Sequence, residues 1–480
     1  MSRRKTKHYL ISALVLLLVF VGWQLFRGGK QDFANELDRF KYGSLGAELV
    51  AGIPYPIFRA LPQVFPDLLE RHASLGPGAD RSGGAAYDAF GLAVEADRPL
   101  PIGFSIKRLG VERVTINCAL CHTTTYRLTP DEAPRHAHGG PGHTVNIQGW
   151  LRFLFAAAHD PRFTASGMLP IIEQQSTLDL SERAMYAALW IPLTRLALRI
   201  AGDQLSWMEE KPAWGPGRDD AFNLPKFVLT QAPWDDTVGN TDFPALWRLG
   251  ERSGHLLHSG GEARSVTAVI ASSMLGTGAL PWGGFDARNR WLESFLSALA
   301  PPPFPAPTDP ALTARGGEVF ASHCAGCHGS GGERTGQAIP VMEVGTDPEH
   351  VLTFQAGDAQ RMNRVTATLG MDNAELQGAE GYVARPLVGI WLLAPYLHNG
   401  SVPTLQDLLA PPAQRPTVFY RGYDVLDTTK VGFVASGDAA QANGFRFDTR
   451  QRGNGNGGHR YGIELAAPDK QALLEFLKTL

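Results

Sequence analysis

Four cysteines occur in 480 residues, and all of them fall in two copies of one pattern, Cys118-Ala119-Leu120-Cys121-His122 and Cys324-Ala325-Gly326-Cys327-His328. In a C-x-x-C-H unit, two thiols on one turn add to the two vinyl groups of a haem and the adjoining His reaches the iron as proximal ligand. The two copies predict two covalently bound haem c groups, attached at Cys118, Cys121, Cys324 and Cys327, with His122 and His328 on the irons. Other chemistries use similar residues. A thiol redox pair needs only C-x-x-C, and paired disulfide loops need no His. A four-cysteine zinc site requires two motifs far apart in the chain to converge. None of these explains a His directly after both motifs.

The sixth ligand decides what an iron can do, because a six-coordinate iron mainly passes electrons while an open position can bind dioxygen or peroxide. For the second motif the distal candidate is His459, in the glycine-rich loop GNGNGGHRYG just before the final helix, where glycines let the backbone approach a flat macrocycle. His398, in APYLHNGSVPTL, is the alternative distal ligand, with Met342, Met362 and Met371 as further competitors. For the first motif His136, His138, His143, His159, His255 and His258 are each eligible, as are Met168, Met208 and Met274, and so is no protein ligand at all. An open first iron would sit in a pocket for which Met274, Leu275 and His258 are the candidates. Arg385 and Arg421 are candidates for neutralising haem propionates, and Trp247, Trp282 and Trp391 for an electron relay; surface Arg and core Trp are the plainer roles of these residues.

The elements that must position these groups are read most easily in the second half. Residues 311–327 place Leu312, Val319 and Phe320 at helical spacing ahead of the motif, and PDKQALLEFLKTL predicts a closing helix from Pro468. The stretch 301–310, PPPFPAPTDP, reads as a stiff extended linker. The expected organisation is a cytoplasmic tip and membrane anchor over 1–30, a first cytochrome c-like domain with extended loops over 31–300, the linker at 301–310, and a second cytochrome c domain over 311–480. The expected fold class is mainly α, two cytochrome c-like haem domains with long loops preceded by one transmembrane helix.

Arg3, Arg4, Lys5 and Lys7 precede an apolar run from Tyr9 to Phe26. Its length suits one membrane crossing with Trp23 near the interface, and a cleaved signal peptide is the rival reading. Both send the globular part across the inner membrane to the periplasm. A formal charge of −3, from Lys+Arg 44 against Asp+Glu 47, excludes a nucleic-acid binder. Gly 53 and Pro 34 leave much of the chain in loops, while 44% hydrophobic residues exclude wholesale disorder.

The chain resembles the di-haem cytochrome c peroxidase superfamily, and within it the di-haem rubber oxygenases. The stretches that carry the likeness run in order from about residue 110 to the end: INCALCHTTTYR, GGPGHTVNIQGWLRFLFAAAHDPRF, DFPALWRLGERSGHLLHSGG, LGTGALP, CAGCHG, RPLVGIWLLAPYLHNGSVPTLQDLL, RPTVFYRGYDVLD, GNGNGGHRYG and LLEFLKTL. The resemblance implies His328 and His459 as the axial pair of the second haem, His122 as proximal ligand of the first, and an open distal side there for dioxygen or peroxide. This sequence departs from the family at His258-Ser259-Gly260-Gly261, where the rubber oxygenases resemble His-Trp-Asp-Gly, and at Leu275, where they carry an aromatic residue. The fold carries over further than the polyisoprene substrate.

Two functions follow. One is an oxidoreductase, peroxidase-like or oxygenase-like, in which electrons enter at the second haem and a small oxidant reacts at the first. The other is a pure electron-transfer cytochrome with both haems six-coordinate. Either would meet a redox partner protein or a quinol-linked complex in the membrane.

Overall fold

The computed structural model describes residues 28–73, 86–371 and 375–480. The apolar run 9–26 and the anchor expected from it lie outside the described residues.

In the second half the helix ahead of the motif spans Pro310–His323. Asp309 caps it, its carboxylate accepting from the backbone N–H of Ala311 (2.8 Å) and Leu312 (3.1 Å), and Pro310 sits at the first turn, where no N–H is needed. A short turn, Ala325–His328, follows at once. The closing helix Ala467–Leu477 crosses the first one at Gly316, where a Cβ would overlap the carbonyl of Ala472 and the side chain of Phe476. That close approach lets Val319 and Phe320 pack with Leu473, Leu474 and Leu477, and sets the Phe320 and Phe476 rings 5.2 Å apart.

The first motif is framed differently. No α-helix leads into it; instead Phe104–Leu109 and Val111–Ile116 form an antiparallel hairpin, with Ile53–Pro54 paired to its second strand. The β-branched residues of VERVTI favour a pleated, half-buried strand over a helix. The fold is therefore helix-rich but mixed, with short strands among the helices.

The extended segment after residue 300 ends at Asp309, and apolar contacts pass from one side of it to the other. Phe304 packs on Trp391 at 5.4 Å, edge to face. One hydrophobic cluster joins Tyr126, Ala137 and Trp247 to Trp391, Leu426 and Leu473. Another joins Ala119, Met274 and Leu275 to Phe354, Met362 and Leu376. Both C-x-x-C-H motifs thus border these apolar clusters, Cys118 and Ala119 in one and Cys324 and Ala325 in the other.

Candidate functional site

Around Cys118 a single turn of 3-10 helix, Cys118–Leu120, is capped by Asn117, whose side-chain oxygen accepts from Ala119 N (2.9 Å). The Asn117 amide donates to the carbonyls of Lys41 (3.2 Å) and Gly43 (3.0 Å), tying the turn to the helix Glu36–Tyr42. His122 Nδ1 stands 2.9 Å from the carbonyl of Pro244. At the second motif His328 Nδ1 stands 2.7 Å from the carbonyl of Arg385. In both places a carbonyl fixes Nδ1 as the protonated nitrogen and leaves Nε2 as the basic one, the arrangement a metal-ligating His requires. Burial lowers both imidazoles below their ordinary value, His122 to about 4, so each is neutral and able to ligate.

The histidine opposite His328 is His459. Their ring centroids are 6.2 Å apart. Two imidazoles on opposite sides of one iron, each about 2 Å from it, space their centroids by roughly 6 Å, so the pair fits a haem between them. His459 has a left-handed backbone, φ +44°, held by its N–H on the carbonyl of Val344 (2.8 Å). Burial and the neighbouring His328 keep it neutral, near 4. The loop that presents it is gathered by Arg415, buried at 3% exposure, which donates to the carbonyls of Asn456 (2.7 Å), Gly458 (2.9 Å) and His459 (3.2 Å). Asn399 and Ser401 hold the other end through the carbonyls of Gly453 and Gly455. Arg415 opens the RPTVFYRGYDVLD stretch, but nothing in that stretch signals that its side chain gathers the His459 loop.

His398 is placed elsewhere. Its Nε2 lies 3.1 Å from the Tyr382 hydroxyl, the two rings stack at 4.1 Å, and its own carbonyl accepts from Asp242 N (2.8 Å) and the Thr241 hydroxyl (2.9 Å). Its nitrogen is engaged in the polar interior and does not face His328. Of the methionines weighed as distal ligands, Met342 is 93% exposed, while Met362 and Met371 are core.

No second imidazole stands opposite His122 among the described residues, where its one ring neighbour is Phe243 at 6.3 Å. His143 spends Nε2 on the carbonyl of Thr125 (2.8 Å), and His159 is exposed with Nδ1 near Phe155 O (2.9 Å). Met274 and Leu275 are buried in the cluster that includes Ala119 and packs on Cys118. His258 has φ +63°, packs edge-on to Phe222 at 5.5 Å, and lines a cleft with Pro244, Leu249, Arg252, Val269 and Arg385. That cleft lies between the two carbonyls that hold His122 and His328.

Beside the cleft is a buried polar group that sequence reasoning missed. Glu262 Oε1 and His350 Nε2 are 3.6 Å apart, both fully enclosed and neither otherwise hydrogen-bonded. Burial raises the Glu262 carboxyl to about 7 and lowers His350 to about 4, so in weak acid both are neutral and the two do not form an ion pair. Arg385 lies near them, its guanidinium 3.4 Å from Ser259 Oγ. Arg421 is committed to Asp242 (2.8 Å), which leaves Arg385 and Arg252 as the arginines facing the cleft. Trp247 is buried between Gly139, Gly140 and Gly389 and donates to His138 O (2.8 Å); Trp391 is buried too, but Trp282 is 60% exposed and lies outside any path through the interior.

No disulfide joins any of the four cysteines. Burial pushes Cys118 and Cys324 up to about 11, the reverse of the depressed value a thiol redox pair needs. Among the described residues no three His, Cys, Asp or Glu side chains converge as a metal cluster, so the zinc alternative has no donor set.

A family model described as RoxA-like, cytochrome c-like matches residues 381–420. That segment contains Arg385, whose carbonyl holds His328, and the Tyr382–His398 stack. Two curated relatives from Sinorhizobium fredii (strain NBRC 101917 / NGR234) are similar to the chain. Uncharacterized protein y4iJ is 30% identical over 39% of this chain and 42% of its own length, and uncharacterized protein y4iM is 32% identical over 40% of this chain and 49% of its own. The chain therefore spans less than half the length of each.

Proposed function

We propose that a cytochrome c-like segment, which implies haem c, is one part of a di-haem c-type cytochrome in which electrons enter at Cys324–His328 and peroxide or dioxygen binds at Cys118–His122. The observation that carries this reading is the asymmetry of the two motifs. His328 faces His459 at the spacing of an axial pair, whereas His122 faces no second imidazole among the described residues. Haem bound at the two motifs supplies one-electron and oxygen chemistry; the chain supplies ligands, orientation and a dry pocket. Pro244 O and Arg385 O orient the two proximal imidazoles, Met274 and Leu275 belong to the apolar cluster beside Cys118, and Arg252 and Arg385 offer positive charge to carboxylates in the cleft between. Trp247 and Trp391 line the shared interior as candidates for an electron relay. The globular part is read as periplasmic, held at the inner membrane by residues 9–26 and served by a redox protein or quinol-linked complex.

The test is the paramagnetic resonance and optical spectrum of the ferric holoprotein, with and without imidazole and peroxide, on the wild type and on His459→Ala. One low-spin and one high-spin signal are expected, the high-spin one abolished by imidazole. In His459→Ala the low-spin signal should become high-spin and return with imidazole, while His398→Ala should keep it. Two low-spin signals indifferent to added ligands would assign the protein to electron transfer alone.

A further inference from the structure

The 25 residues from Leu180 to Gln204 run as one helix through a π-turn at Tyr186–Trp190. One face is core: Tyr186, Trp190, Ile191, Thr194 and Leu198 are buried, and the helix packs on Ile147–His159. The opposite face is apolar as well, and nothing among the described residues covers it. Met185, Ala188, Pro192, Leu196 and Ile200 recur at spacings of three and four, with Leu193 alongside. Leu193, Leu196 and Ile200 are 47%, 54% and 49% exposed. A helix on the surface of a water-soluble domain places charge on its outer side. Here residues 184–202 contain two charges, Arg195 and Arg199, and no acid.

The place where the chain arrives is close by. Gly28, two residues after the apolar run, bridges Leu109, and Gly29 N donates to Arg108 O (3.0 Å). In the same hairpin Arg113 donates from Nε to Leu109 O (3.0 Å) and lays its guanidinium 5.0 Å from the centre of the Trp190 ring, at the middle of the helix. Arg113 also reaches Glu48 O (3.3 Å), next to the exposed pair Leu49 and Val50. Residues 28 and 29, the hairpin and the buried side of the helix are thus linked through Arg113, so the chain emerges beside the element whose outer face is uncovered.

We propose that the face of Leu180–Gln204 bearing Leu193, Leu196 and Ile200 lies on the lipid bilayer, parallel to its plane, with Arg199 among anionic headgroups. This rests on the reading of residues 9–26 as an anchor. An amphipathic helix with basic residues and an apolar face settles at the boundary of headgroups and acyl chains. The anchor brings it there: an 18-residue run that crosses the bilayer is not available to cover the face itself. A full crossing by Leu180–Gln204 is opposed by its inner face, since Arg195 donates to the carbonyls of Ala158 (3.0 Å) and Asp160 (3.1 Å) and Trp190 is core.

The experiment uses the full-length holoprotein in vesicles of phosphatidylethanolamine and phosphatidylglycerol. Because the native cysteines are committed to haem, Leu196→Cys, Ile200→Cys and, as a reference, Met342→Cys can each carry one nitroxide, with the haem spectrum confirming the fold. The expected result is a several-fold higher ratio of oxygen to nickel-chelate collisions at 196 and 200 than at 342, at interfacial depth. Protein that floats with vesicles while 196 and 200 match 342 overturns the proposal and leaves the anchor standing. Protein that does not float overturns both. Labels shielded from both reagents show a protein partner or second copy on the face, and labels at the bilayer centre show a span; either overturns the proposal.

Discussion

A carboxyl group sealed beside an imidazole, with no hydrogen bond to either facing atom, leaves a thermodynamic trace. Burial is the main cause of the upward shift of Glu262, from an ordinary 4.5 to about 7; backbone N–H groups, including Gly260 N (3.0 Å), and Arg385 act against it. The folded protein therefore holds a proton that the unfolded chain has lost between those two values. Stability must fall as pH rises from 4.5 through 7 and level off above, since the native state binds more protons in that window. Between pH 5 and pH 8 this one group accounts for roughly 2–3 kcal/mol. Glu262→Gln keeps the shape and removes the titration. Denaturant midpoints of the two holoproteins at both pH values should show the variant gaining on the wild type at pH 8; parallel pH profiles would show that Glu262 ionises normally. The site residues themselves differ in how readable they are. The C-x-x-C-H units announce themselves because their chemistry is contiguous, and His459 is marked by its glycines. Glu262 and His350 have no such mark, because 88 residues separate two groups that only folding brings together.

At the level of elements, the helices that frame the second motif could be read from apolar spacing and a Pro at the first turn, and they form within a few residues of the expected bounds. The strands that frame the first motif could not, since Phe104–Leu109 carries a single β-branched residue and the pairing of Ile53 with Val114 depends on a partner distant in the chain. The crossing of Pro310–His323 over Ala467–Leu477 depends on one missing methyl group. Gly316→Ala would place a Cβ against the Ala472 carbonyl, backbone that cannot swing aside, so the helices must separate. Overpacking of this kind costs about 1–3 kcal/mol, which outweighs the gain of up to about 1 kcal/mol from replacing Gly by Ala in a helix. The net loss should appear as a lower denaturant midpoint. Gly317→Ala, whose added carbon would meet Phe476 at ordinary contact distance, is the control and should be neutral or stabilising. Equal midpoints for the two variants would mean that the crossing is not tight.

For the molecule as a whole, the Pro-rich stretch at 301–310 suggests two bodies joined by a spacer, and two apolar clusters draw residues from each side of it. Polar contacts cross it as well. Asp242 lies two residues before the carbonyl that holds His122, and its carboxylate meets Arg421 at 2.8 Å, on the strand Val418–Arg421. Arg218, fully buried, is close enough to repel Arg421 and donates to Asn454 (2.7 Å) in the loop that presents His459. One carboxylate thus compensates two guanidiniums at the joint between the motifs. Asp242→Asn removes that charge while keeping the size of the side chain, and stranding a buried partner in this way costs about 3–5 kcal/mol. Because the joint belongs to both halves, the loss should reach both motifs together: on denaturation the low-spin and high-spin signals expected of the proposed di-haem protein should disappear over one transition, shifted to lower denaturant in the variant. If instead the signal of one site persists through the unfolding of the other, the two motifs occupy independent domains and the shared core contributes little to stability.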